Sequence, residues 1–145
     1  MKLMEWTDGL VLGHDRMDDT HREFVDQLNA LGEAGDDEML ACFDAFYAHT
    51  VAHFEQENEW MHAIAFPPAH CHTAEHEGVL EVMREVRRHL EKQDYNVGRV
   101  LAKEMAEWFR GHAATMDAML AQVMRARGVG EALPEVGCAH GGACS

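Results

Sequence analysis

The sequence predicts an all-α protein, an antiparallel up-down-up-down four-helix bundle with an irregular N-terminal arm. Three observations predict it. Apolar side chains recur at steps of three and four through four stretches of helical length, which gives each helix one buried stripe. Short turns rich in Gly, Pro, Asn or Asp separate the stretches, and short connections make consecutive helices antiparallel. Ten methionines, three prolines and few β-branched runs favour helix over sheet.

Residues 1–17 read as the arm, with Trp6, Leu10, Val11 and Met17 as apolar anchors and Gly9 and Gly13 opposing helix. The first helix is expected from about Asp18, with Asp18 or Asp19 as its cap, and carries the stripe His21, Phe24, Leu28 and Leu31. Gly32 and Gly35 end it. The second, about 37–64, carries Leu40, Phe43, Phe46 or Tyr47, Thr50, His53, Glu57 and Trp60 or Met61. Pro67-Pro68 punctuates the chain, and proline suits the start of the third helix, about 69–92. That helix carries His72, His76, Val79 or Leu80, Met83, Val86 and Leu90. The fourth, about 95–127, carries Val97, Leu101, Met105, Trp108, His112, Met116 and Met119 as its inward face. The bundle domain is read as residues 1–127, and the glycine-containing segment 128–145 as a flexible tail.

With 26 acidic against 12 basic side chains, the net charge of -14 repels phosphate. Nucleic acid and anionic membrane surfaces are therefore poor partners. No apolar run approaches the ~20 residues of a membrane span. The first residues lack an apolar run of signal-peptide length, so a cytoplasmic location and reduced cysteines are expected. No extra apolar face is evident, which points to a monomer.

The unusual feature is 11 histidines. Chance alone gives about one His pair at i, i+4 in a chain this rich, so no single pair carries weight. The constellation does. His21 lies on the first stripe, His53 and Glu57 one turn apart on the second, His72 and His76 one turn apart on the third, and His112 on the fourth. Asp117 follows His112 by five residues, an offset of about 140° on an α-helix. It is a poor same-metal pair with His112 and suits a reach to a second metal. Unpartnered imidazoles and carboxylates are costly to bury, and metal coordination removes that cost. Five histidines and two carboxylates exceed one tetrahedral zinc site. They suit two metals if both carboxylates bridge. With nitrogens divided three and two and a bridging hydroxide or oxide, one metal has six ligands and the other five, leaving one position open.

The segments Trp6…Gly13, Asp18-Asp19-Thr20-His21, His53-Phe54-Glu55-Gln56-Glu57…Met61, His72-Thr73-Ala74-Glu75-His76 and Trp108…His112…Asp117 occur in order over roughly residues 5–125. In these pieces the chain resembles the hemerythrin family, its bacterial single-domain branch most closely. The resemblance implies two non-haem irons. His72, His76 and His112 would hold the six-coordinate iron and His21 and His53 the five-coordinate iron, with Glu57 and Asp117 bridging. It implies reversible dioxygen binding at the open iron, for oxygen storage, transport or delivery to an oxygen-consuming enzyme. A site dominated by imidazole, unlike carboxylate-rich di-iron sites, favours a carrier over an enzyme.

Phe24, Phe54, Trp108, Phe109 and Ala113 are expected to shape the oxygen pocket. Larger aliphatic side chains are commoner in relatives where Phe109 and Ala113 stand, and the small Ala113 could admit water or a larger ligand and raise autoxidation. An oxygen or redox sensor, a peroxide or nitric oxide reductase, iron storage, and zinc or manganese in place of iron are the alternative readings. The remaining histidines, His14, His49, His62, His70, His89 and His140, are expected mostly at the surface, with His49 a candidate support for His53. Cys138, His140 and Cys144 could form a tail metal or redox site.

Overall fold

The computed structural model describes residues 2–129. After a single 3-10 turn, Asp8–Leu10, the chain forms α1 (Asp15–Glu33), α2 (Asp36–Ala63), α3 (Ala69–Glu91) and α4 (Asn96–His112). One π-helical turn, Ala113–Asp117, then leads without a break into α5 (Ala118–Arg127). α4, the π turn and α5 form the fourth rod of a four-helix bundle, and α1 and α3 each pack on both α2 and α4. The expected fold class holds. The expected tail, with Cys138, His140 and Cys144, lies outside the described residues apart from Gly128 and Val129.

Three local differences from the sequence reading have clear causes. α1 starts at Asp15, with His14 as its cap through an Nδ1 that accepts from Met17 N at 3.2 Å. Asp18 does not cap. Its carboxylate accepts from the backbone of Leu12 at 2.8 Å and Gly13 at 3.1 Å, tying the arm to the helix. Gly13 sits at φ +82°, where a side chain would be strained. Gly35 caps the start of α2, while α1 ends at Glu33.

The third difference is the π turn. It donates Ala118 N–H to Ala113 O, five residues back, so one residue is added to the turn. The inward face therefore moves from the expected Met116 and Met119 to Asp117, Leu120, Ala121 and Met124, all buried. Met119 is instead 50% exposed, which corrects its assignment to the core. The rod ends at Gly128, φ +67°, with Val129 N–H bonded to Met124 O at 2.9 Å.

The core is divided. One apolar cluster, including Phe24, Phe43, Phe46, Met83, Leu101 and Phe109, fills most of the bundle. A second, including Met17, Trp60, Met61, Phe66, Leu120 and Met124, fills one end. On α1, α2 and the fourth rod the segment between these clusters carries His21, His53, Glu57, His112 and Asp117. A buried polar layer thus crosses an otherwise apolar interior.

Candidate metal centre

All seven side chains singled out as ligands converge in that layer, and none is more than 4% exposed. They form two overlapping groups. Glu57, His72, His76, His112 and Asp117 offer atoms within 4.8 Å of one another, and so do His21, His53, Glu57 and Asp117. Both carboxylates belong to both groups, and each divides its oxygens between them. Glu57 Oε2 lies 2.9 Å from His53 Nε2 and 3.4 Å from His21 Nε2. Its Oε1 lies 3.3 Å from His72 Nε2 and 3.2 Å from His76 Nε2. Asp117 Oδ2 lies 3.1 Å from His21 Nε2, while Oδ1 lies 3.0 Å from His72 Nε2 and 3.2 Å from His112 Nε2.

The π turn explains why an i+5 pair works here. On a continuous α-helix Asp117 would point well away from His112. The added residue brings it back to the same inward face, between the two histidine groups. The sequence spacing carried this signal, and the turn type resolves it.

In the metal-free layer the two carboxylates set the charge of the rings around them. Burial disfavours charge on His21 and His72, but the close carboxylates of Asp117 and Glu57 outweigh it and push both rings up to about 9. His112 is raised in the same way, against burial, mainly by Asp117. His76 is lowered, because burial outweighs the pull of the nearby Glu57 carboxylate. Burial would raise the Glu57 carboxyl, but His53, His21 and His72 hold it well below its usual range. Asp117 is opposed by burial and by Glu57, yet His112, His21 and His72 bring it below the ordinary carboxylate range. Positive charge is thus drawn into the layer by two carboxylates that stay ionised. Several of the buried atoms still lack a hydrogen-bond partner, among them Glu57 Oε1, His76 Nε2 and both Asp117 oxygens. His72 Nε2 and His112 Nε2 face each other at 3.1 Å. Orphaned nitrogens and oxygens aimed at common points are what metal ions would satisfy, and mixed imidazole and carboxylate donors suit divalent first-row metals.

The aromatic residues expected around one pocket fall on two sides. Phe109 meets His21 edge-on at 4.9 Å, and Phe24 lies 4.6 Å from Phe109 and 5.7 Å from His53. These two wall the two-histidine half. Phe54 stacks on His76 at 4.0 Å and also lies 5.4 Å from His53, so it borders both halves, while Trp108 stacks on His112 at 4.4 Å beside the three-histidine half. Ala113 is buried at the first position of the π turn.

Sequence reasoning missed the residues that hold the ligands from outside. Glu75 Oε1 accepts from His112 Nδ1 at 2.8 Å and from Trp108 Nε1 at 3.2 Å. Asn58 Oδ1 accepts from His76 Nδ1 at 3.1 Å and from the Thr73 hydroxyl at 3.3 Å. The available signal was spacing: Asn58 follows Glu57, and Glu75 precedes His76 on the flank of the same stripe. His49 is bonded to Glu23 at 3.2 Å with its ring 6.2 Å from that of His53, and makes no hydrogen bond to His53 among those described. His14 departs from expectation. It is fully buried, donating through Nε2 to Val129 O at 2.9 Å and packing edge-on against Trp60.

The family model for the hemerythrin HHE cation binding domain matches residues 12–123, most of the chain. The chain belongs to the hemerythrin family. A bacteriohemerythrin of Ralstonia nicotianae (strain ATCC BAA-1114 / GMI1000) is 42% identical over 128 residues, covering 88% of this chain and 93% of that protein. A bacteriohemerythrin of Stenotrophomonas maltophilia (strain R551-3) is 26% identical over 130 residues, covering 87% of this chain and 84% of that one. Among solved structures, a hemerythrin mutant superposes with a TM-score of 0.78 at 22% identity, covering 84% of this chain and 97% of its own. A second hemerythrin mutant gives 0.76 at 21% identity, with the same coverage. These structures share the fold. The buried His/Glu/Asp cluster suits the metal binding expected of a hemerythrin domain, and among the described residues no helix is long and apolar enough to cross a membrane.

Proposed function

We propose that this hemerythrin-family chain binds dioxygen reversibly at a non-haem di-iron centre. The observation that supports it most is the division of ligand atoms: three histidines on one side, two on the other, and two carboxylates facing both. His72, His76 and His112 would hold one ion, His21 and His53 the other, and Glu57 and Asp117 would bridge them, leaving the two-histidine side one ligand short. Bound iron supplies reversible two-electron chemistry toward dioxygen.

The protein's own part is to hold the ligands and keep the site dry. Glu75 and Asn58 fix the rings of His112 and His76 through their Nδ1–H groups, so that Nε2 points inward. Phe24 and Phe109 present apolar side chains beside His21 and His53. Phe24 and Phe109 are fully buried, which limits water and protons at that side. An imidazole-rich, water-poor site with one free position favours release of the ligand unchanged over turnover. The role is therefore oxygen storage, transport or delivery.

Manometric titration tests the proposal. The diferrous protein should take up one dioxygen per two irons and release it under vacuum over repeated cycles. Irreversible oxidation at the first exposure, or steady consumption of peroxide or nitric oxide faster than autoxidation, would overturn the carrier reading.

A further inference from the structure

The seam between α3 and α4 carries an exposed surface that the ligand layer does not use. On α4, Val100, Glu104, Trp108 and Gly111 follow one another at steps of four, four and three, so they share one flank. On α3, Glu75, Gly78 and Val82 do the same. The bond from Trp108 Nε1 to Glu75 Oε1 at 3.2 Å joins the two flanks. The helices are antiparallel, so Val82, about two turns beyond Glu75, comes level with Val100, about two turns before Trp108. Val82 is 54% exposed and Val100 48%, which makes an apolar patch in solvent. A Cβ at Gly78 or Gly111 would meet nothing within 4 Å, so the surface is open beside Glu75 and Trp108.

Trp108 connects this surface to the centre. Its ring stacks on that of His112 at 4.4 Å and 22°, and Glu75 holds both, accepting from Trp108 Nε1 and from His112 Nδ1. Of the phenylalanine and tryptophan rings packed on the ligand histidines among the described residues, Phe24, Phe54 and Phe109 are buried, while Trp108 is only partly buried. Electron transfer weakens steeply with distance, and stacked rings couple better than an empty gap of the same width. The charged side chains on the two flanks, Glu75 and Glu104, are both acidic, and the whole chain carries a net charge of -14.

We propose that this α3/α4 surface docks a basic protein that carries one electron at a time, with Trp108 as the point of electron entry to the three-histidine half. The -14 charge, Glu75 and Glu104 attract a basic carrier, and Val82 and Val100 give it an apolar contact; redox encounters use small interfaces of this kind. The need for it is chemical. An iron pair that loses two electrons to dioxygen without regaining them is left diferric, and only a reductant restores it. Each docking passes one electron from the reduced carrier to one ferric ion; two dockings restore the pair, and no bond forms to the carrier. Electrons thus enter opposite the half walled by Phe24 and Phe109, which is the half proposed to bind dioxygen. The electron's destination rests on the metal reading, whereas docking does not.

The test uses the full chain, with cytochrome c, a basic one-electron protein, as the probe. The diferrous chain, its iron counted, is mixed with ferricytochrome c without oxygen, so that the electron runs outward over the same path and the haem absorbance reports it. The rate should fall about tenfold from low to physiological ionic strength. Val82→Lys combined with Val100→Lys puts like charge on the patch, away from the ligands, and should slow the reaction about tenfold. Val11→Lys, at a similarly exposed position on the arm, should change it little. Trp108→Leu should slow it and Trp108→Phe should recover part of the rate, compared at equal iron content. Docking is read separately from the indole N–H resonance of Trp108 in the iron-free chain, which should shift on titration with ferrocytochrome c while those of Trp6 and Trp60 stay. A rate insensitive to the lysine pair or to Trp108→Leu, or slowed as much by Val11→Lys, would overturn the proposal. If the chain holds two irons and the Trp108 resonance ignores the carrier, the surface alone is refuted; if the chain takes up no iron and the resonance still shifts, the surface stands and the metal reading fails.

Discussion

Removing the Glu75 carboxylate should loosen metal binding in one half of the centre by an amount the structure bounds. Glu75 Oε1 lies 2.8 Å from His112 Nδ1, the length of a charge-assisted hydrogen bond, and 3.2 Å from Trp108 Nε1. Outer partners of metal-bound histidines are typically worth 10- to 100-fold in affinity, or about 1.4–2.7 kcal/mol. The Glu75 side chain is 37% exposed, so water screens its charge and can replace part of the bond. The lower end applies. Glu75→Ala should lose about tenfold in affinity, and Glu75→Gln less, because its amide oxygen still accepts. The loss should appear in the three-histidine half, since His21 and His53 have no contact with Glu75 among the bonds described. Stepwise competition with a chelator resolves the two ions, and Trp108 fluorescence reports its lost bond and altered stacking on His112. If Glu75→Ala folds and both binding steps stay within twofold of the parent, His112 is held by something other than Glu75 and the reasoning is wrong.

Glu57→Ala removes a carboxylate that faces both ligand groups, so metal content should fall from two ions per chain to one or none; elemental analysis showing two retained ions would refute bridging. In the metal-free protein His21 and His72 are raised from 6.5 to about 9, so their contribution to stability is complete below pH 6.5 and is lost as pH rises through about 9. Glu57 and Asp117 are lowered, so theirs is present above the ordinary carboxylate range and lost only in stronger acid. Thermal melts of the metal-free protein should therefore weaken from pH 6.5 to beyond 9, and metal loading should release protons; a flat profile contradicts the assignment. His14→Ala removes both the α1 cap and the bond to Val129, and should cost about 1–3 kcal/mol in urea unfolding. An unchanged midpoint would show that neither bond contributes.

The bundle and its ligand layer were readable in the sequence because both follow one rule, the helical period. His53 with Glu57 and His72 with His76 sit one turn apart, and chemistry-bearing residues replaced apolar ones in stripes already identified. What the period could not give was a change of period. The π turn at Ala113–Asp117 shifts everything after it by one residue, so Met119 reads as core and lies outside, while Leu120 and Met124, absent from the expected stripe, lie inside. The i+5 separation of His112 and Asp117 was the visible trace of that turn. Start signals were ambiguous for a related reason: Asp18 is a good cap by type, but His14 holds the position and Asp18 binds the arm. Supporting residues were hidden because Glu75 and Asn58 are ordinary polar side chains on half-exposed positions, and only their distances mark them. His14 was hidden because its partner, Val129, is 115 residues away in the chain.

The most direct measurement is the iron content of the purified, iron-supplied chain, taken with its absorption spectrum in air and after deoxygenation. Two irons per chain, with a charge-transfer band that appears in air and disappears under vacuum, is the outcome predicted by the proposal that Glu57 and Asp117 bridge an oxygen-binding iron pair. One iron or none, or a spectrum indifferent to oxygen, contradicts it.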